Sequence, residues 1–372
     1  MRVGLNLLYL IPGVVGGTET YAVSLLRAIA RVDSRNEYFA FVPREAAKLD
    51  LPTAPNFTRV VCNLRASRRP ARYAWEQAVL PLQLLSRRVD LLHSLAYVGP
   101  LIAGCPHVVT IHDVNFAALR DSMPAGRRRW LRLMVGGVAR TARHVIAVSE
   151  FSRSEILKHL GATPERVSVV HEAVETAVPA DEPSWEDLAA AHGVRKPYVL
   201  AFSSRSAHKN LPRLIESFAA AGASLPHLLV LVGHLPPDAS IRAAIHRLGL
   251  GNRVVVTGYV PSAHVRPLLR HADLFVSPSL YEGFGLSVLE AQAERVAVAC
   301  SRVGSLPEVA GEGAVYFDPR SADDMGAVVR RALLDAGLRE KLVCQGLENL
   351  TRFSWDEAAR QTVAIYESQA PY

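Results

Sequence analysis

Tyr281-Glu282-Gly283-Phe284-Gly285-Leu286-Ser287-Val288-Leu289-Glu290-Ala291 is the stretch on which the reading of this chain turns. An apolar run at 273–277 and Pro278 precede it, so it reads as the turn from a buried strand into a helix. Glu282 falls in the turn, glycines 283 and 285 flank the helix start, and Glu290 lies about one and a half turns in. Free amides at that helix start face the turn and favour negative charge. Two carboxylates so placed can reach different parts of one extended ligand, such as a sugar and a ribose, with phosphates on the amides between them. The spacing also admits a plainer alternative, with Glu282 substituting for a helix cap and Glu290 on a solvated helix face.

Outward from this turn the chain alternates short apolar runs with helical periodicity. The second half has strands near 198–203, 227–233, 253–257, 273–277 and 296–300. The first half has apolar runs at 2–8, 37–42, 57–62, 89–93, 107–111, 143–148 and 167–171, with amphipathic stretches at 18–31, 71–86, 126–140 and 150–160. Ser152 with Glu155 reads as a capping box, and Pro81 is expected to interrupt any helix over 73–86. Alternation of this kind predicts parallel sheets covered by helices, and 372 residues exceed what one core usually fills. The division expected is an N-terminal domain over 1–175, a linker over 176–196, where Pro179, Asp181, Glu182 and Pro183 break the pattern, and a second domain over 197–350. A last helix within 351–372 is expected to cross back to the first domain. Open parallel sheets bind ligands at the carboxyl ends of their strands, so two such domains would place a ligand between them.

Composition excludes several classes. Apolar residues make up 49% and charged residues 21%, values of an ordinary globular chain. No apolar run approaches the ~20 residues that span a bilayer. Met1 to Gly17 lacks the cleavage site of a secretory signal, and four scattered cysteines suit a reducing compartment, so a cytoplasmic protein is expected. The net charge of +7 is uneven: residues 1–180 carry 23 Lys+Arg against 14 Asp+Glu. A basic half accommodates an anionic partner, such as a membrane surface or a phosphorylated acceptor, or is simply a solvated arginine-rich surface. No nucleic-acid-binding motif accompanies the charge, so nucleic acid is not expected.

Two further clusters point to phosphate chemistry. Gly16-Gly17-Thr18 follows the first strand and opens a helix, where glycine lets backbone amides approach an anion. Ser203-Ser204-Arg205-Ser206-Ala207-His208-Lys209-Asn210 ends the first strand of the second domain. There Arg205 offers a planar fork, and Lys209, one of only five lysines, a mobile point charge.

With the Glu282–Glu290 block stand Gly258-Tyr259-Val260, His271-Ala272-Asp273-Leu274-Phe275-Val276-Ser277-Pro278-Ser279 and Gly304-Ser305-Leu306-Pro307-Glu308-Val309. Ile111-His112-Asp113 and Ser149-Glu150-Phe151-Ser152 add to them in the first half. Together they resemble family 4 of the retaining glycosyltransferases over nearly the whole chain. The resemblance implies an α/β GT-B architecture, two Rossmann-like doubly wound domains facing a central cleft, and transfer of a hexose from a nucleotide-diphosphate sugar. By position it implies that Glu282 contacts the sugar, that Phe284, Gly285 and Leu286 hold sugar and distal phosphate through their amides, and that Glu290 binds the ribose. It further implies that Arg205 and Lys209 neutralise the diphosphate, that Gly16 and Gly17 close over it, and that His112 approaches the reacting carbon. GDP-mannose is the leading donor and a UDP-sugar the next, the base lying near Gly258-Tyr259-Val260. The acceptor is a glycan, a lipid-linked glycan or a small molecule bound by the N-terminal domain.

Three features depart from the family pattern or bear on it. Lys209 lies four residues after Arg205, one fewer than usual. Arg295 and Ala297 stand where the family commonly has Gly-x-Pro, so the turn after Glu290 forms without glycine. No Asp-x-Asp is present, so no metal and no cofactor are expected. A nucleotide-sugar 2-epimerase of the same architecture usually lacks the Glu-x7-Glu block, and a non-catalytic binding protein would be expected to have lost His112, Lys209 or a glutamate. The basic first half, with Arg65, Arg68, Arg69 and Arg72 before Trp75, Leu80, Leu82, Leu84 and Leu85, and Arg127–Arg129 before Trp130, allows peripheral contact with the inner face of a membrane.

Overall fold

A computed structural model of the protein describes residues 1–119, 123–176, 182–204, 206–222, 225–233 and 240–370. The chain divides into two compact units, Met1–Ala173 with Ser354–Tyr372, and Val174–Phe353.

In the first unit the elements run β1 (Arg2–Asn6), α1 (Gly17–Val32), β2 (Glu37–Val42), β3 (Phe57–Val61), α2 (Arg69–Ser86), β4 (Leu91–Ser94), β5 (His107–Ile111), α3 (Asn115–Ala118), α4 (Ala125–Thr141), β6 (His144–Ala147), α5 (Glu150–Leu160) and β7 (Val167–Val169). The seven strands form one sheet in the order β3-β2-β1-β4-β5-β6-β7. Every pairing is parallel, for example Val3 with Leu91 and Val108 with His144. Both faces are covered, which is why β4, β5 and β6 are buried at every position, polar His93, Ser94, His107, Thr110 and His144 included. The order reverses between β1 and β4, where the Asn6 amide donates to Ser94 Oγ at 3.2 Å.

In the second unit follow α6 (Trp185–His192), β8 (Tyr198–Phe202), α7 (Leu211–Gly222), β9 (Leu228–Val232), α8 (Ser240–Arg247), β10 (Val254–Gly258), α9 (Ser262–Arg270), β11 (Leu274–Ser277), α10 (Leu286–Ala293), β12 (Val298–Ser301), α11 (Leu306–Ala310), β13 (Ala314–Phe317), α12 (Ala322–Leu334) and α13 (Ala336–Leu350). Its six-stranded parallel sheet has the order β10-β9-β8-β11-β12-β13, reversing between β8 and β11. The period of two along a strand splits the core. Val199 and Ala201 pack on one face, with Leu214 and Phe218 of α7, while Tyr198 and Leu200 pack on the other, with Leu268 of α9 and Val288 of α10.

The last helix, α14 (Trp355–Gln369), belongs to the first unit and packs along α1. Arg31 and Arg35 pair with Asp356 and Glu367, each at 2.6 Å. Beneath them the Tyr366 hydroxyl meets His93 Nδ1 at 2.6 Å, in full burial. Burial pushes His93 down to about 3, so this histidine is a neutral structural link.

Several sequence expectations need correction. The cap of α5 is Ser149, whose side chain accepts from Ser152 N; Ser152 sits in the first turn, and its hydroxyl donates to His112 O. Pro81 does not interrupt α2. The helix runs through it because Leu80 and Leu84 are buried on either side, and that packing outweighs the local cost of about 3 kcal/mol. The edge strand β13 has no counterpart among the expected strands. The linker, by contrast, agrees with the sequence, which allows one short helix there: α6, capped by Ser184, which accepts from Asp187 N; residues 177–181 lie outside the described residues.

Candidate functional site

In the second unit two loops meet where the strand order reverses, the place where an open parallel sheet receives a ligand. The loop after β8 carries Lys209 and the loop after β11 carries Glu282. Asn210 laces them together, its side-chain amide donating to Pro278 O at 3.1 Å and Pro319 O at 2.8 Å. Leu280 N donates to His208 O at 2.7 Å. Arg205 lies outside the described residues.

Across this junction Lys209 Nζ stands 2.6 Å from Glu282 Oε1, and the Ser279 hydroxyl donates to the same oxygen at 2.6 Å. Burial works to raise the Glu282 carboxyl, but the ammonium and the two hydrogen bonds outweigh it and hold the group below its ordinary value. Glu282 is therefore an anion at neutral pH, with the Lys209 ammonium as its charge partner.

Two glycines make the approach feasible. A Cβ on Gly304 would lie 2.7 Å from Glu282 O, and the residue has φ +62°, so the segment after β12 presses directly on the Glu282 backbone. Gly285 caps α10 at φ +107°, where a Cβ would lie 2.8 Å from Leu306. The Ser305 hydroxyl lies 3.1 Å from Glu282 O and 2.6 Å from Phe284 O, fixing the loop from below. The first bond of α10 runs from Val288 N to Gly285 O, so the amides of Leu286 and Ser287 precede the ladder at the positive end of the helix. Phe284 is buried and edge-on to Phe353. Glu290 is half-buried in the second turn of α10. The turn that follows places Arg295 at φ +61°, the conformation that glycine ordinarily supplies.

Ser203, at the end of β8, has a buried hydroxyl with no hydrogen-bond partner, a group suited to a ligand oxygen. Neither Ser203 nor Ser279 stood out as a site residue in the sequence. The Ser279-x-x-Glu282 spacing was the available signal for the second.

The first unit holds the remaining residues. Gly16 caps α1 at φ +60°, Gly17 begins the helix, and Glu19 accepts from Gly13 N at 2.8 Å. His112 follows β5 and is 9% exposed. Its Nδ1 lies 2.9 Å from Glu172 Oε1 and its Nε2 3.0 Å from Leu95 O, and the Tyr21 ring stands edge-on at 4.6 Å. Burial lowers the imidazole and the Glu172 carboxylate raises it further, leaving it above the ordinary histidine value. Sequence reasoning missed Glu172, which no local pattern marks. Among the described residues no cluster of three His, Cys, Asp or Glu is arranged to hold a metal ion.

Residues 15–178 match the family described as Glycosyltransferase Family 4, and residues 184–348 the family described as Glycosyl transferases group 1. The chain is 29% identical to the O-antigen chain mannosyltransferase B of Escherichia coli, covering 70% of each. It is 31% identical to the MMP alpha-(1->4)-mannosyltransferase of Mycolicibacterium hassiacum, over 74% of this chain and 67% of that one. In fold it superposes on Anabaena HepE, solved in complex with UDP and glucose, with a TM-score of 0.76 at 19% identity over 99% and 100% of the two chains. Two doubly wound parallel sheets, the Glu282–Glu290 turn at the second reversal, and these matches over both halves place the chain among the family 4 glycosyltransferases of the GT-B fold.

Proposed function

We propose that this glycosyltransferase moves a hexose, with retention at the anomeric carbon, from a nucleotide-diphosphate sugar to a hydroxyl of a glycan, a lipid-linked glycan or a small-molecule acceptor. The observation that carries the reading is the Lys209–Glu282 pair at 2.6 Å, set before the N-terminus of α10. A donor can engage both members of the pair at once: its diphosphate takes the ammonium and the helix amides, and its sugar hydroxyls take the carboxylate. Glu290, one helix turn further, takes the ribose. GDP-mannose leads as donor because both curated relatives named above are mannosyltransferases, and UDP-sugars follow because HepE was solved with UDP and glucose.

The charge of the departing diphosphate falls to Lys209 and Arg205, so the reaction proceeds without a metal and without a cofactor. Peripheral contact with an anionic membrane is supported by the outer face of α2. Leu82 is 66% and Leu85 75% exposed there, between Arg68-Arg69 and Arg87-Arg88. Tyr73 and Trp130, with ring centroids 4.1 Å apart, bring the arginine-bearing starts of α2 and α4 together.

The deciding experiment follows GDP-mannose and UDP-glucose by proton NMR in excess EDTA, with and without glycan acceptors. An α-linked product from an α-linked donor is expected. Activity that appears only with magnesium or manganese removes the metal-free reading. An isomerised nucleotide sugar with no acceptor use points instead to a 2-epimerase.

A further inference from the structure

We infer that Glu172 is a positioning residue that holds His112 as an imidazolium, its two N–H bonds bracing the ligand end of the first sheet. This deepens the glycosyl-transfer reading and rests on it only for its kinetic part.

The argument is one of donors and acceptors. Leu95 O can only accept, so His112 Nε2 must carry a hydrogen to make the 3.0 Å contact. Glu172 Oε1 faces Nδ1 at 2.9 Å, and its hydrogen bond and charge raise the imidazole, which favours a proton on Nδ1. Glu172 is 3% exposed, so water does not compete for it. Asp113 adds negative charge from the same turn, His93 lies on β4 and is kept neutral by burial, and Tyr21 of α1 and Tyr9 after β1 stay protonated, raised by burial. Two carboxylates therefore oppose the burial of a single cation.

The dyad is also a strut. Leu95 follows β4, His112 follows β5 and Glu172 follows β7, so the two hydrogen bonds tie three strand ends at the edge where a ligand enters. Ser152 of α5 adds a fourth anchor by donating to His112 O at 3.0 Å.

The test uses the full chain, Glu172→Gln and Glu172→Asp, with ring-¹⁵N-labelled histidine, the His112 signal being assigned by its loss in His112→Asn. In the wild type the His112 shifts should remain those of an imidazolium as pH rises past 6.5. In Glu172→Gln they should become neutral at or below that pH, and Glu172→Asp should restore part of the difference. This readout needs no turnover, so it decides the proposal even if the donor is misassigned. Where turnover is measured, Glu172→Gln should lose roughly tenfold in kcat at pH 8 with donor KM little changed, and recover toward pH 5.5. A wild-type His112 that titrates near 6.5, or a Glu172→Gln profile parallel to wild type at every pH, would overturn the inference.

Discussion

Replacing Lys209 by Met removes the cation from a carboxylate whose side chain is 13% exposed and which also accepts from Ser279. Breaking a buried pair on one side costs about 3–5 kcal/mol, because a charge is left without compensation. Lys209 is 26% exposed, so water partly fills its place, and about 2–3 kcal/mol is the expected loss. For a domain of 150–250 residues that lowers Tm by roughly 5–10 °C. Glu282→Gln should cost only about 1 kcal/mol, since the ammonium left behind can reach water. The double variant should return to within about 1 kcal/mol of wild type, because neither charge is then stranded. Calorimetry at pH 7 measures all four forms. The pH dependence has a definite sign: Glu282 is lower in the folded state than its ordinary 4.5, so the stability it confers is present above that value and is lost as pH falls through the folded one. The gap between Lys209→Met and wild type should therefore close in acid. A Lys209→Met protein as stable as wild type at pH 7, or a double variant no better than the single, would refute the reasoning.

Glu76 of α2 is 1% exposed with one oxygen unpartnered, and burial pushes it up from 4.5 to about 7, which makes its ionisation cost about 3 kcal/mol of stability. Wild-type stability should decline between pH 5 and pH 8 on this account, and Glu76→Gln should flatten the decline in urea midpoints; an unchanged slope would contradict it. Arg295 is exposed at φ +61°, so Arg295→Gly should stabilise the second domain by about 1 kcal/mol, and a lowered Tm would show that its side chain matters more than its backbone. In steady-state kinetics Glu282→Ala should mainly reduce kcat and Glu290→Ala mainly raise donor KM, since ribose contacts are alike in ground and transition states; an unchanged KM in the latter would remove the ribose role.

The strands were legible because parallel strands buried on both faces appear as short, mostly apolar runs. All seven of the first sheet and five of the second were visible in that way. The sixth, β13, is a four-residue edge strand with its two middle residues only half-buried, and its apolar signal is short. Pro81 misled because its local penalty is readable in the sequence, while the packing of Leu80 and Leu84 that overrides it is not. Glu282 and Lys209 were legible as polar groups at strand ends, yet 73 positions separate them, and their pairing exists only in the fold. Glu172 was invisible for the same reason: its partner His112 lies 60 positions away on another strand end.

Donor binding in the absence of metal tests the central claim most directly. The measurement is thermal unfolding of the full chain in EDTA against GDP-mannose, UDP-glucose and the free hexoses, with Glu290→Ala alongside. A nucleotide sugar at 100 times its Kd should add about 2.7 kcal/mol of stability, the free hexoses none, and Glu290→Ala should lose most of the response. If neither nucleotide sugar moves the transition, or if Glu290→Ala responds as fully as wild type, the account of the second domain as the donor site is wrong.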